Sequence, residues 1–576
     1  MKLLKFKIGD VSENFRSLHA GFEIYFHSLN DTVSMEEFRP FCFAGLNGSG
    51  KSNVLEALSA IFYHLEICVA QYLPKSIKDP ENFKRNECSP DAFKLEYIIG
   101  QIDGSDYILE NFHKVIITKQ LMEEPKMEIQ EFPFDDSKKK IEIELNPIAG
   151  SELGSAPGKA YLPDHVIGYS SGENEILSLP FIKSRLVHLD EFKQATEVGQ
   201  RGFTESENSL IFIDNNMSQA VLLACLLFES EKTLESIKDV DNTGILDLKS
   251  FRMNINLLHF NFQKDTDENI LKIINHNQID KLKKCATSWY SNGKILWLDF
   301  YVTTETKKAF KHHFNDNSFE LFQLFRLLYE LNSHFVNDQI KEDVYQSKGY
   351  YTDGKLPVGS PGQNVFYFLD YYITKKIKET GEIKDLLLRN FSDGEHQFLH
   401  TIGICLLLKD RRVLLLLDEP ETHFNPSWRA KFIKILNQSI TSGNNRNHIN
   451  GHFNVHLMKD ILLTSHSPFI ISDCMPDNEL FFDRNEDTKN VQVRKASELG
   501  LNTYGTSVEL ILDRLFDYDQ SIGDLSNDVL KNIDFESIDS KEKLDEVKLK
   551  LSRLGESIEK DMVLARLHRK NLQDNA

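Results

Sequence analysis

The chain opens with apolar and polar residues in alternation. Leu3-Leu4-Lys5-Phe6-Lys7-Ile8 and Gly21-Phe22-Glu23-Ile24-Tyr25-Phe26 have the period of two expected of half-buried strands. A third run, Phe41-Cys42-Phe43-Ala44, stops at Gly45. Beyond Lys51 the period changes, and Val54, Leu55, Leu58, Ile61, Phe62 and Leu65 follow helical spacing. Strand, glycine loop and helix are therefore expected in immediate succession. Residues 94–133 read as strand-rich and 135–160 as an exposed polar loop. From 185 to 380 the pattern is mainly helical, with strand-like runs at Leu210-Ile211-Phe212-Ile213 and Ile295-Leu296-Trp297-Leu298. A glycine- and proline-rich break, Gly354 to Gly362, precedes a return to α/β patterning near 385. Val413-Leu414-Leu415-Leu416-Leu417 and Ile461-Leu462-Leu463 are all-apolar, as central parallel strands are. Leu544, Val547, Leu551, Leu554 and Ile558 form a 3-4-3-4 stripe, expected as one amphipathic helix docked on its own domain. The fold class expected is α/β. N-terminal antiparallel strands and a parallel core sheet are interrupted by a large, mainly helical insertion. The expected segments are 1–184, 185–380, 381–500 and a helical tail, 501–576.

Composition narrows the setting. The net charge of the 576 residues is −20, which argues against a protein that coats nucleic acid through its overall charge. The seven cysteines (Cys42, Cys68, Cys88, Cys225, Cys285, Cys405 and Cys474) form no Cys-x-x-Cys pair, so reduced thiols are expected. The start, MKLLKFKIGD, is interrupted by charge too early for a signal peptide. No apolar run approaches the ~18 residues of a membrane span. A soluble, cytoplasmic protein is expected, with no membrane partner.

Gly45-Leu46-Asn47-Gly48-Ser49-Gly50-Lys51-Ser52 matches G-x-x-x-x-G-K-[ST] throughout. Glycines in such a loop let backbone N–H groups turn toward phosphates, and the helix that follows aims its positive end at them. Gly45, Asn47, Gly48, Ser49, Gly50, Lys51, Ser52 and Asn53 are thus the expected ATP cradle. Lys51 reaches the terminal phosphates and the Ser52 hydroxyl ligates Mg²⁺. Downstream, the strand from Val413 ends in Asp418-Glu419. Asp418 is the expected Mg²⁺ ligand, and Glu419 the general base that polarises the attacking water. Phe391-Ser392-Asp393-Gly394-Glu395-His396-Gln397 opens a helix, where a hydroxyl and free N–H groups make an anion site; by itself it reads first as an ordinary helix cap. His466, in Thr464-Ser465-His466-Ser467-Pro468 at another strand end, is placed to contact the terminal phosphate.

The order of phosphate loop, Ser-x-Gly-Glu signature, Asp-Glu strand and Ser-His-Ser-Pro resembles the ABC-type ATPase heads of the RecF, SMC and OLD group. In that group the signature of one head caps ATP held by another. The resemblance implies a signature role for Ser392, Gly394 and Glu395, a switch role for His466, and assembly as a homodimer or higher homo-oligomer. Asn14-Phe15-Arg16-Ser17-Leu18 looks like the group's opening strand, where the arginine, here Arg16, leans on the phosphates. Asp418-Glu419-Pro420-Glu421-Thr422-His423-Phe424-Asn425-Pro426 looks like the form found in OLD-like and defence-associated members. These motifs cover about 1–70 and 385–475. OLD nucleases carry a Toprim domain after the histidine; no such pattern and no HNH nuclease core is found here.

The whole chain resembles stand-alone ATPases of bacterial anti-phage systems, including the Septu ATPase, retron-associated ATPases and the restriction-system-associated AAA ATPases. The features that carry this likeness are Phe15-Arg16-Ser17-Leu18 and Gly168-Tyr169-Ser170-Ser171-Gly172-Glu173-Asn174-Glu175. The resemblance implies a separate nuclease partner of HNH type, with DNA or RNA, retron nucleic acid included, as further ligands. The competing expectations are a repair ATPase that clamps DNA itself and a transporter ATPase. The Tyr169–Glu175 block sits where the group has its Q-loop, although no glutamine stands in it. His448, His452 and His456 are spaced i, i+4, i+8, but a turn-rich loop outweighs a metal site there. The clusters Lys281, Lys283, Lys284 and Lys307, Lys308, Lys311 are read as solvated helix faces ahead of DNA contacts.

Overall fold

The structure is a computed structural model. It describes residues 1–576 except 71–72, 80, 101–107, 148–155, 172–176, 199–208, 258–275, 350, 352–354, 358, 361, 409–410, 442–454, 486, 517, 519–521, 539 and 575–576. His448, His452 and Gly172–Glu175 lie outside the described residues. Residues 1–504 form one compact unit and 505–576 a second.

Three sheets are found among the described residues of the first unit. The site-bearing sheet has seven strands in the order Val491–Lys495, Glu479–Arg484, Phe41–Ala44, Lys459–Thr464, Val413–Asp418, His165–Ser170, Leu210–Phe212. All pairings are parallel except that of the outermost strand, Val491–Lys495, with Glu479–Arg484. The apolar strand Val413–Asp418 is buried at every position, because it has neighbours on both edges and cover on both faces. Its register is held from one end by Arg412. The guanidinium is 2.7 Å from Asp164 Oδ1 and donates to the carbonyls of Gly100 and Ala160, at 2.8 and 3.0 Å. His165 thereby pairs with Val413, and Ser170 with Asp418. A six-stranded antiparallel sheet carries the N-terminal alternation, in the order Glu23–Tyr25, Lys2–Ile8, Phe93–Gly100, Phe112–Lys119, Lys126–Glu131, Ile141–Ile143. The helix Lys51–Val69 shares one apolar core with residues of both sheets, and Val54, Leu55, Leu58, Ile61, Phe62 and Leu65 are fully buried.

The α/β class is as expected, and the strand-like runs that begin at Leu210 and Ile295 form strands, but the segment 185–380 holds more strand than expected. It contributes Leu210–Phe212 to the parallel sheet. It also supplies four strands of a separate antiparallel sheet: Ser288–Ser291, Ile295–Tyr301, Ile245–Asn256 and Phe366–Lys376, the last paired with Ile383–Leu387. Two of these strands are long, yet their period of two is hidden. The pairing of Ile245–Asn256 with Phe366–Lys376 shifts register at three places, and each shift moves the apolar positions out of strict alternation. In the second unit, the stripe expected as one helix is two. A helix runs Lys541–Ser552, the chain passes Gly555, and a second helix runs Ile558–Asp574. Leu551 is buried with Leu530, Ile533, Ile538 and Leu567, whereas Ile558 is 66% exposed.

Candidate functional site

The phosphate loop is shaped by conformations that only glycine adopts freely. Gly45 has φ +136°, and a Cβ there would lie 2.2 Å from the Phe482 carbonyl oxygen. Leu46, Asn47 and Gly48 are exposed at the loop tip, while Ser49 and Gly50 turn inward. Arg484, at the end of the neighbouring strand, donates from Nη2 to the Gly48 carbonyl at 2.8 Å. Lys51 starts the helix and folds back over the loop, donating to the Gly45 and Leu46 carbonyls at 2.8 and 3.0 Å. Burial lowers its ammonium to about 8. A polyphosphate would offer it stronger acceptors than carbonyls. The Ser49 hydroxyl is buried with no hydrogen-bond partner.

The acidic strand meets this loop at its carboxyl end. Asp418 is 1% exposed, and its Oδ1 accepts from Ser52 Oγ at 2.7 Å and from Thr464 Oγ1 at 2.8 Å. Burial raises the Asp418 carboxyl, and those two hydroxyls oppose the rise. Thr464 Oγ1 in turn accepts from the Glu419 backbone N–H at 2.9 Å. Glu419 adopts φ +47°, a left-handed conformation uncommon outside glycine, at the turn where the strand ends. His466 Nε2 lies 3.4 Å from Glu419 Oε1. That imidazole is the main reason the Glu419 carboxyl sits below its ordinary value. Lys51, Ser52, Asp418, Glu419 and His466 are therefore brought together, with Thr464 joining them. A hydroxyl and a carboxylate side by side, with few other protein ligands, is a hard-oxygen donor set that fits Mg²⁺ shared with phosphates. Among the described residues, no group of three or more His, Cys, Asp or Glu is placed to hold a metal.

Ser392, Gly394 and Glu395 sit apart from the phosphate loop, whereas Arg16 and Asn53 lie at its helix. Ser392 caps the helix Asp393–Leu407 in a reciprocal box with Glu395, whose carboxylate also pairs with Lys375. No hydrogen bond or ion pair among the described residues joins Ser392 or Glu395 to Gly45–Asn53. A Cβ on Gly394 would lie 2.7 Å from the His423 carbonyl oxygen, so this glycine lets the helix start approach the turn after Glu419. Arg16 has φ +55° and pairs with Glu56 on the phosphate-loop helix at 2.8 Å, also donating to the Lys348 carbonyl. Asn53 Nδ2 donates to Ser17 Oγ at 2.7 Å, tying the same opening motif to the helix start.

Several residues near the site went unassigned in the sequence. Arg484 follows no motif, and only sheet order brings it to the loop. Gln397 stands in the signature run, and its Oε1 accepts from the His423 N–H at 2.9 Å. Ser171 Oγ lies 2.8 Å from Thr422 Oγ1, which donates to the Glu419 carbonyl. Glu421, 4% exposed, accepts a hydrogen bond from the Ser465 hydroxyl through one oxygen, and the other oxygen has no partner among the described residues. Lys281, Lys283, Lys307, Lys308 and Lys311 each lie within ion-pair distance of a carboxylate. Among the described residues no helix is long and apolar enough to cross a membrane.

Residues 290–472 match the family described as "AAA domain, putative AbiEii toxin, Type IV TA system". The matched span holds Ser392 to Glu395, Asp418-Glu419 and His466 and lies downstream of the phosphate loop; the match supports an ATPase of AAA type. No curated protein matches the chain. The chain is similar to solved structures that include the following two. One is the SMC head domain of Pyrococcus furiosus with an extended coiled coil, bound to the C-terminal domain of ScpA. It is 11% identical over 87% of this chain and 98% of that one, with a TM-score of 0.28. The other is RecF with ATP, from the RecFOR pathway, 13% identical over 81% and 92%, with a TM-score of 0.23.

The half-satisfied Glu421 carboxyl predicts a pH effect. Burial lifts it to about 7 from an ordinary 4.5. Its folded form holds the proton more tightly than the unfolded chain, so its share of stability is complete below about 4.5. That share is lost as pH rises to about 7. Glu421→Gln keeps an acceptor for Ser465 and removes the ionisation. The thermal midpoint of the variant minus that of the parent is expected near zero at pH 5 and positive at pH 8. A difference that does not change with pH would show that Glu421 is not buried as a neutral acid.

Proposed function

We propose that this chain binds and hydrolyses ATP with Mg²⁺ at the phosphate loop, in an ABC-type head whose site is completed by a second copy. The observation that carries the proposal is the hydroxyl–carboxylate chain from Ser52 through Asp418 and Thr464 to Glu419 and His466, beside Lys51. Lys51 would leave its loop carbonyls for the terminal phosphates of ATP. Mg²⁺, held by Ser52 and Asp418, would supply charge neutralisation on those phosphates. Glu419, kept ionised by the neighbouring imidazole, would accept the proton of the attacking water, and His466 would face the transferred phosphate. Arg16 would exchange part of its pairing with Glu56 for phosphate. Ser392, Gly394 and Glu395 would cap the ATP of the partner copy, the Ser392 hydroxyl turning away from Glu395 to do so.

For the biological role, the motif resemblance favours an anti-phage defence ATPase that controls a separate nuclease of HNH type. A chain that clamps DNA by itself is less favoured, because the lysine groups that would grip phosphates are offset by neighbouring carboxylates.

Lys51→Ala is expected to abolish ATP binding in equilibrium dialysis, and Glu419→Gln to keep binding while stopping phosphate release. Tight binding by the first, or normal turnover by the second, removes the corresponding role. Ser392→Arg and Lys51→Ala chains, each inactive alone, should regain up to one working site per dimer when mixed; no recovery counts against sharing between copies. Purified from its native operon, the chain should carry a second polypeptide with nuclease activity. A complex whose mass is accounted for by this chain alone would overturn the partner assignment.

A further inference from the structure

A cavity of about 910 Å³ lies in the first unit, and its walls include none of Lys51, Ser52, Asp418 and Glu419. Its volume falls in the ~300–1,000 Å³ range of small-molecule sites. The end of the strand His165–Ser170, the edge strand Leu210–Phe212 and the helix Ser318–Glu330 supply part of the wall.

Another part comes from the first two turns of the helix Asp393–Leu407. Asp393, His396, Gln397 and His400 line the space at three- and four-residue spacing, so one polar face of this helix looks into it. The rest of the helix buries Phe398, Leu399, Ile402 and Leu406. Asp393 is exposed and His396 half-buried, whereas Gln397 and His400 are buried, and buried polar groups need partners. His400 is 7% exposed and makes a ring contact with His396, yet neither of its nitrogens has a hydrogen bond among the described residues. Burial holds that imidazole down at about 3. Arg389, on the rim, has no ion-pair or hydrogen-bond partner among the described residues.

Two of the three acids that line the cavity are engaged already, and the third, Asp393, is exposed at the helix start. Glu330 is held by Arg326 and His188, and Asp214 accepts from the Met217 N–H at 2.8 Å. Flat apolar surface is present as well, from the paired rings of Phe181 and Phe212 and from Tyr329 and Phe335.

We propose that this cavity is a second ligand site, for a small anionic molecule bearing a flat ring, of the nucleotide class, and that Gln397 reports its occupancy to the catalytic turn. Arg389 and His400 take the anionic group, and the aromatic wall takes the ring. Gln397 lines the cavity while bonding to the His423 N–H, and its Nε2 lies 3.5 Å from the Glu419 carbonyl. Tyr169, also on the wall, has Gln397 and Thr401 as neighbours whose polar groups oppose the rise that burial gives its phenol. A ligand that moves Gln397 therefore moves the backbone that carries Glu419. This relay rests on the ATPase reading above; the ligand site does not.

The test uses the full-length Lys51→Ala protein, in which the phosphate loop no longer holds nucleotide. AMP, GMP, adenosine and inorganic phosphate are each measured by equilibrium dialysis. AMP or GMP should bind once per chain, more tightly than adenosine or phosphate. Adding Arg389→Glu or His400→Phe should weaken that binding by about tenfold or more, the loss of one charge-assisted contact. Arg389 is exposed, so its variant decides the matter even if His400→Phe does not fold. Absence of AMP and GMP binding, or affinity unchanged by Arg389→Glu, overturns the site. With Lys51 present, the same nucleotide should change the rate of ATP turnover, and Arg389→Glu should remove that change. Binding without such a change retires the relay alone, and a chain that hydrolyses no ATP leaves the dialysis result standing.

Discussion

Asp418 is a carboxylate buried at the end of an apolar strand, and burying it demands partners. An ionised carboxylate out of water is stable only when its oxygens are hydrogen-bonded or paired. The two hydroxyls that meet its Oδ1 come from Ser52, 366 residues earlier, and Thr464, 46 residues later. Their positions bring the first turn of the phosphate-loop helix and the end of the strand Lys459–Thr464 to one point. The parallel register serves the same end, since Asp418 stands level with Thr464 on one side and Ser170 on the other.

A second layer surrounds the backbone of Glu419. Thr464 holds its N–H, Thr422 its carbonyl, and Ser171 bonds both to Thr422 and to the Asp418 carbonyl. Gln397 and the close approach at Gly394 attach the helix Asp393–Leu407 to the same turn. The left-handed Glu419 is thus held from the acidic strand, the neighbouring strand and the helix that opens at Ser392. That arrangement allows events at the helix start, a partner copy or a cavity ligand, to reach the candidate base through a few hydrogen bonds.

Much of this was legible in the sequence because it is local. Phe41–Ala44, the loop Gly45–Ser52 and the helix Lys51–Val69 are contiguous, and glycine conformation and helical period mark each boundary. Asp418 and His466 stand out because an apolar strand ending in a charged or polar group is itself a pattern. The long antiparallel strands near 250 and 370 did not stand out, because shifts in register erase the alternation that would show them. The break at Gly555 was missed because a 3-4-3-4 stripe continues across two helices as easily as along one.

The sequence by itself determined the chemical parts. These are a loop able to wrap phosphates, a hydroxyl and a carboxylate suited to Mg²⁺, a base, and a capped helix start. Each depends on residue type and short spacing, which a chain carries with it before it folds. Only the tertiary structure decided which parts meet: Arg484 on the phosphate loop, Arg16 on Glu56, Gln397 against the turn that carries Glu419, and His400 facing a cavity. Those contacts depend on strand order and on close approaches between segments from 22 to 436 residues apart. No local pattern encodes them, because packing selects among many positions that would each satisfy the same side chain.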